Sequence, residues 1–208
     1  MGRSFALIEL IVVIAIIAIL AAIIAPNAFR AIEKSRVART AADMNAIKTA
    51  TLSYYTDTGQ WPIPPGGGSQ YILGDHPLLV DNGVFGWDGP YLDKIGRSPL
   101  ADHVVSLWGW KYGYYYICVK PPGWGAYMSW FDLDGDNVIE IKDGISVGVY
   151  GFAMENAYLV DRVFDNNIVD DGINGGIKGK LNVINWGGAG SNYWAIFLYI
   201  GRTGVNYP

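Results

Sequence analysis

A chain of 208 residues suits one soluble domain with an additional segment, or two small domains. Its formal charge of −4 leaves no basic balance for nucleic acid, so no nucleic-acid partner is expected. The lone cysteine, Cys118, excludes an intrachain disulfide, and a domain outside the cytoplasm would need another form of bracing.

The first feature along the chain is an apolar run at residues 5–25 that holds one charged residue, Glu9. At about 1.5 Å per residue, roughly 20 apolar residues cross the hydrocarbon core of a bilayer. The run exceeds the roughly 7–15 apolar residues of a secretory signal peptide, and no small-residue cleavage site follows it. A membrane span is therefore predicted. A carboxylate inside hydrocarbon is costly, so Glu9 indicates a function that involves a partner.

Phe5 opens the run, Glu9 is the fifth residue counted from it, and Pro26 is the twenty-second. These residue types at these positions resemble the processing signal of type IV pilins and of the pseudopilins of type II secretion. The resemblance implies that a prepilin peptidase cuts between Ser4 and Phe5 and that the new Phe5 amine is methylated. The family usually has Gly before the cut, where this chain has Ser4.

The same resemblance implies a domain organisation and a location. A short leader at 1–4 precedes a transmembrane and filament-core helix at 5–27, and an extracytoplasmic head at 28–208 includes the second half of the long helix. The subunit is expected in the inner (cytoplasmic) membrane before assembly, and then in a periplasmic or cell-surface filament. Its expected partners are the membrane, prepilin peptidase, the inner-membrane assembly platform and further copies of itself. In the filament, a buried Glu9 carboxylate needs a cation, and the Phe5 amine of a neighbouring copy is expected to supply it. Breaking such a buried pair costs about 3–5 kcal/mol.

The helix is predicted to run from about Phe5 to Tyr55, with a kink or loosening at Pro26, which lacks an N–H. Residues 28–55 contain no Gly or Pro, and one face repeats at steps of three and four. That face comprises Val37, Ala41, Met44, Ile47, Thr51 and Tyr54. Gly59 and Pro62 end the helix, and its apolar face is expected to pack on the head.

The sequence after the helix is rich in glycine and aromatic residues, which predicts short strands joined by tight turns. We predict strands at 112–119, 127–131, 145–150, 181–186 and 194–200. Their sequential order indicates an antiparallel meander that covers the helix, so the fold class is α+β. Residues 62–69 are predicted to be a loop, and 154–208 an added hairpin or subunit-facing flap. Segments 56–62 and 86–92 are similar to those around the end of the helix and before the first strand in major pseudopilins.

Residues 132–143 fit a twelve-residue calcium-binding loop. Side-chain oxygens at positions 1, 3, 5, 9 and 12 and a backbone carbonyl at position 7 come from Asp132, Asp134, Asp136, Glu140, Asp143 and Val138. A structural Ca²⁺ would provide bracing in a head without disulfides, and the resemblance to major pseudopilins implies a calcium site in this region. An ordinary solvated acidic turn is the alternative. A second acidic stretch at 165–171 fits no such template and is expected to be a solvated loop.

No catalytic pattern stands out. His76 and His103 lack metal-ligand spacing, and the chain shows no Ser-His-Asp signature or nucleotide-binding loop, so it is not expected to be an enzyme. The expected function is a structural subunit of an extracytoplasmic helical filament, either a type IV pilus or a type II secretion pseudopilus. The alternative is a membrane-tethered adhesin or sugar-binding module that does not polymerise. The position of Glu9 favours the filament, because a tether does not need it.

Overall fold

The computed structural model describes residues 7–62, 69–101, 113–119, 131–134, 136, 139–141, 143–152, 154–165, 179, 181–185 and 194–202. The chain divides into two compact units, Met1–Arg36 and Val37–Pro208. The elements are α1 (Leu7–Thr58), β1 (Ser69–Tyr71), β2 (Tyr115–Val119), β3 (Gly144–Phe152), α2 (Met154–Asp165), β4 (Leu181–Asn185) and β5 (Trp194–Arg202).

The described part of the first unit is the beginning of α1. Every side chain from Leu7 to Arg36 is exposed in the single chain. Within the described residues, α1 alone is long and apolar enough to cross a membrane. Pro26 lies inside the helix, where its ring nitrogen cannot donate to the Ala22 carbonyl.

In the second unit, the predicted apolar face of α1 is confirmed, because all six of its residues are buried. The helix ends at Thr58, beyond the predicted Tyr55. Gly59 follows with a φ of 68°, a left-handed conformation that glycine adopts without a Cβ penalty. Its N–H donates to the Tyr55 carbonyl at 2.8 Å and so closes the last turn.

The five strands form one antiparallel sheet in the order β1-β2-β3-β5-β4, which confirms the α+β class. The strands predicted at 112–119, 145–150, 181–186 and 194–200 correspond to β2, β3, β4 and β5. Of the strand predicted at 127–131, only Phe131 lies within the described residues. The short β1 arises at the end of the predicted 62–69 loop.

The predicted meander is wrong in its last step, because β5 lies between β3 and β4. β3 and β5 are nine residues each, whereas β4 has five. Two strands of equal length can pair all their facing backbone N–H and C=O groups. A short strand at the sheet edge leaves fewer backbone groups open to pairing with another chain. The segment from 154 opens with helix α2 rather than a hairpin, and β4 and β5 then pair as antiparallel neighbours.

One face of the sheet packs on both helices. Side chains alternate between the faces of a strand, and Ile117, Val147 and Ile196 share one cluster with the buried residues of α1 and with Val160 of α2. The Tyr115 hydroxyl donates to Oδ2 of Asp43 on α1 at 3.1 Å. The α1 segment after Arg36 and the sheet thus form one two-layer core.

The opposite face of the sheet carries an aromatic cluster. The Tyr116 ring stacks on Tyr150 at 4.7 Å between ring centroids and meets Phe197 edge-on at 5.9 Å. A Cβ at Gly148 would collide with the Tyr116 ring, so glycine is what allows this close approach. Phe131 is buried in the same cluster, which brings the acidic segment to this face.

Candidate functional site

The acidic segment is closed at its base by a pair of backbone hydrogen bonds. The Phe131 N–H donates to the Ile141 carbonyl at 2.9 Å, and the Ile141 N–H donates to the Phe131 carbonyl at 3.1 Å. Both side chains are buried in the aromatic cluster. The apolar residues that flank the acidic ones therefore fix the two ends of the loop on the sheet.

The structure brings four of the predicted carboxylates together. One oxygen from each lies within 4.8 Å of the others, and the four residues are Asp132, Asp134, Asp136 and Glu140. Asp132 is fully buried, whereas the other three are exposed. Glu140 also accepts a hydrogen bond through Oε2 from the Leu133 N–H at 2.7 Å. The Asp136 N–H donates to Oδ1 of Asp134 at 3.2 Å.

Asp143 does not join this group. Its Oδ1 lies 3.9 Å from Nε of Arg202, at the end of β5. The same guanidinium donates through Nη2 to the backbone carbonyl of Glu140 at 2.8 Å. Arg202 therefore bridges the end of the acidic segment to the sheet. Val138 lies outside the described residues.

The chemistry of the four carboxylates fits a hard cation. Calcium takes oxygen ligands at about 2.3–2.6 Å, so two ligands of one ion lie at most about 5 Å apart. The 4.8 Å limit on the four oxygens is compatible with that geometry. Without a cation, four carboxylates this close repel one another. The loop could hold Ca²⁺ through these four side chains, and calcium binding stays a prediction.

The two predicted assembly residues that the structure describes lie in α1. Glu9 is in the first turn of the described helix and Pro26 is in its interior, and both are exposed in the single chain. Ser4 and Phe5 lie outside the described residues. Cleavage at Phe5 and pairing with Glu9 therefore stay predictions.

His76 is a fully buried histidine in the segment between β1 and β2. Its Nδ1 accepts a hydrogen bond from the Leu78 N–H at 3.2 Å, which places the proton of the neutral ring on Nε2. Within the described residues, Nε2 has no hydrogen-bond partner. Burial lowers the pKa of His76 to about 4, and nearby Asp75 opposes that shift. The histidine is a neutral part of the core, which its isolated position in the sequence could not reveal.

His76 should make stability depend on pH. Because its pKa in the folded chain, about 4, is below the ordinary 6.5, protonation favours the unfolded chain. Its contribution is complete above about pH 6.5 and is lost as the pH falls toward about 4. The free energy of unfolding should drop by about 1 kcal/mol between about pH 7 and about pH 5.5. Denaturant titration checks this, and a His76→Gln variant with the same slope would contradict it.

Comparison with known proteins links the chain to pili. Residues 31–105 match a family model described as PilW, C-terminal, which is about a third of the chain. The match supports a relationship between this chain and a pilus-associated family of type IV pilus biogenesis. It includes α1 from Ala31 onward and the segment around β1, and it excludes Glu9 and the acidic loop. No curated protein and no solved structure matches the chain.

Proposed function

We propose that this chain is a structural subunit of an extracytoplasmic helical filament of the type IV pilin superfamily, and that it polymerises through its N-terminal helix. The subunit is first inserted in the inner membrane, where a prepilin peptidase cleaves the chain before Phe5. An assembly platform then adds the subunit to a periplasmic or cell-surface filament. It carries out no catalysis of its own.

The observation that carries the proposal is the uncovered apolar surface of α1. Leu7, Ile19 and Ile23 are each more than 60% exposed in the single chain, at 75%, 63% and 63%. Each Å² of apolar surface removed from water stabilises a structure by roughly 25 cal/mol. An apolar helix surface of this size is therefore expected to be buried against lipid or protein. Lipid supplies that cover before assembly, and helices of other copies supply it in a filament. The pilus-associated match adjoins this segment and supports the same reading.

Glu9 gives the packed helices their register in this proposal. Apolar contacts alone let helices slide past one another, whereas a carboxylate removed from water requires a cation at one fixed place. The methylated amine of Phe5 on a neighbouring copy supplies that cation. Pro26 removes one backbone hydrogen bond in α1 and gives the helix a point at which it adapts to its neighbours.

We also propose that the four carboxylates of the acidic loop hold a structural Ca²⁺. The proposal is supported by their mutual approach and by the anchoring of the loop through Phe131 and Ile141. An ion there would brace the loop on the aromatic face of the sheet, in a chain whose lone cysteine is buried in β2. Ca²⁺ would supply positive charge, and the chain's own contacts would hold the loop ends.

The proposed function can be tested by shearing filaments from cells that express the full chain. Electron microscopy should show thin filaments labelled by an antibody to the head. Mass spectrometry of their N-terminal peptide should show a methylated Phe5. Peptides that begin at Met1 would contradict the processing step. A chain found only as membrane-bound single copies would favour the tethered binding module instead.

A further inference from the structure

Phe85 stands out as an uncovered aromatic side chain. It is 97% exposed, more than any other large apolar side chain in the described part of the chain. A Phe ring buries about 150–250 Å² when it is packed, so full exposure leaves a large apolar area in water. At 97% exposure the ring contributes almost nothing to the packing of the described residues.

The turn that carries Phe85 is held in a defined shape. The Gly83 N–H donates to Oδ1 of Asp81 at 2.8 Å, and the Trp87 N–H donates to the Val84 carbonyl at 3.1 Å. Gly86 has a φ of 88°, and a Cβ there would collide with the backbone carbonyl of Asp57 at the end of α1. The turn therefore rests on α1 and presents the ring from a held backbone, so binding costs mainly the rotamer freedom of one side chain.

The same chain contains a surface cavity that suits an aromatic ring. Its volume is about 550 Å³, it is open to solvent on one side, and its apolar wall is formed by Ile72, Leu79, Val80 and Ile95. This volume falls in the roughly 300–1,000 Å³ range of ligand-binding clefts. Phe85 does not fill the cavity of its own chain, as its exposure shows.

The charges around the ring and around the cavity are complementary. Asp81 and Asp88 flank Phe85, and residues 81–88 contain no Lys or Arg. The cavity is lined by Lys94 and Arg97 and by a single acidic residue, Asp93. An acidic turn and a cavity with a net positive rim attract each other and favour one orientation.

We propose that Phe85 of one copy inserts into the Ile72–Leu79–Val80–Ile95 cavity of the next copy. The inference rests on the proposed filament and names a contact between heads that the N-terminal helix does not supply. When Phe85 of one copy enters the cavity of the next without reciprocal exchange, the contact is head-to-tail, and such contacts propagate into open helical assemblies. A second copy is the occupant, because this chain carries both complementary parts.

Cysteine cross-linking of the full chain tests the contact. Val84 lies next to Phe85 and Ile95 lies in the cavity wall, and both are half-buried. Native Cys118 is fully buried and does not compete. Filaments of the Val84→Cys, Ile95→Cys double variant, which keeps the Phe85 ring, should give a ladder of disulfide-linked multimers under mild oxidation. Wild type and both single variants should give monomers. The two cysteines form the bond only if their Cβ atoms approach to about 3.5–4.5 Å.

A ladder that stops at dimers, dimers from Val84→Cys alone, or monomers throughout would overturn this contact. When electron microscopy of the same samples still shows filaments, the filament proposal survives that result. If the wild-type chain forms no filaments, both proposals fall.

A matched pair of variants measures the effect on assembly. Phe85→Ser should reduce filament yield at least about tenfold, as expected for an aromatic residue at the centre of a contact. Its melting temperature should stay nearly unchanged, because the ring is almost fully exposed. Val163→Ser removes a 53% exposed apolar side chain from α2 and should leave yield unchanged. Normal yield from Phe85→Ser would overturn the proposal.

Discussion

Filament yield should fall by at least about a hundredfold when Glu9 is replaced by glutamine, while the chain still inserts into the membrane. Glutamine keeps the size of the side chain and one acceptor oxygen, replaces the other oxygen with an NH2 donor, and removes the charge. In the proposed filament the neighbouring Phe5 amine would then remain in an apolar core without its counter-ion. Losing one member of a buried pair costs about 3–5 kcal/mol, which is roughly two to four powers of ten in the assembly equilibrium. Quantitative blotting of sheared filaments and of membranes measures both quantities.

The matched control for this change is Glu33→Gln. Glu33 lies on the same helix and is also exposed, but it follows the apolar run rather than lying inside it. The two variants change net charge equally, so a general effect of charge would affect them alike. We expect near-normal filaments from Glu33→Gln. Normal filaments from Glu9→Gln would remove the register role of Glu9, and equal loss from both variants would assign the effect to overall charge.

The helix could be predicted from the sequence because its signal is local and periodic. Residues such as Val37, Met44 and Tyr54 recur at steps that put them on one face, and each is buried. The predicted end of the helix, Tyr55, lies three residues too early, because Thr56 and Asp57 are residue types typical of turns. Helical backbone bonding continues to Thr58, where Gly59 closes the last turn.

The order of the strands could not be predicted, because pairing between distant segments leaves no periodic signal. The sequence marks β3 and β5 as apolar runs, but it does not show that their equal length makes them partners. The Gly and Asn content of the segment from 154 is typical of a hairpin or flap, and it conceals α2. Its buried positions Ala157 and Val160 are three residues apart, which is a helical step that could have revealed it.

The candidate site was predicted in its chemistry and only partly in its geometry. Alternating acidic residues predict converging carboxylates, and four of them converge. Asp143 fits the template equally well by spacing, yet it lies beside Arg202, which is 59 positions away in the sequence and reaches it through the pairing of β3 with β5. The proposed Phe85 contact could not be predicted from the sequence. A single exposed residue forms no sequence pattern, and its exposure is visible only in the folded chain.

Removal of calcium should lower the melting temperature of the full chain in detergent by roughly 5–10 °C. An ion that binds only the folded chain adds about 2.7 kcal/mol at a hundredfold excess over Kd, and each kcal/mol shifts the melting of a chain of this size by about 2–4 °C. The repulsion among the four carboxylates acts in the same direction when the ion is removed. Calcium should restore the melting temperature, and magnesium should restore it poorly, because it demands strict octahedral geometry.

Three substitutions separate calcium binding from a general effect of acidic residues. Asp134→Asn removes one of the four clustered carboxylates and should abolish most of the calcium-dependent shift. Asp93→Asn removes an exposed carboxylate at the surface cavity and should keep the shift intact. Asp143→Asn should also keep most of it, because that carboxylate lies beside Arg202 rather than with the four. Identical melting curves with and without chelator, together with no bound metal in native mass spectra, would make the acidic segment an ordinary solvated turn. A loss of the shift in Asp143→Asn as large as in Asp134→Asn would instead mean that Asp143 leaves Arg202 to bind the ion.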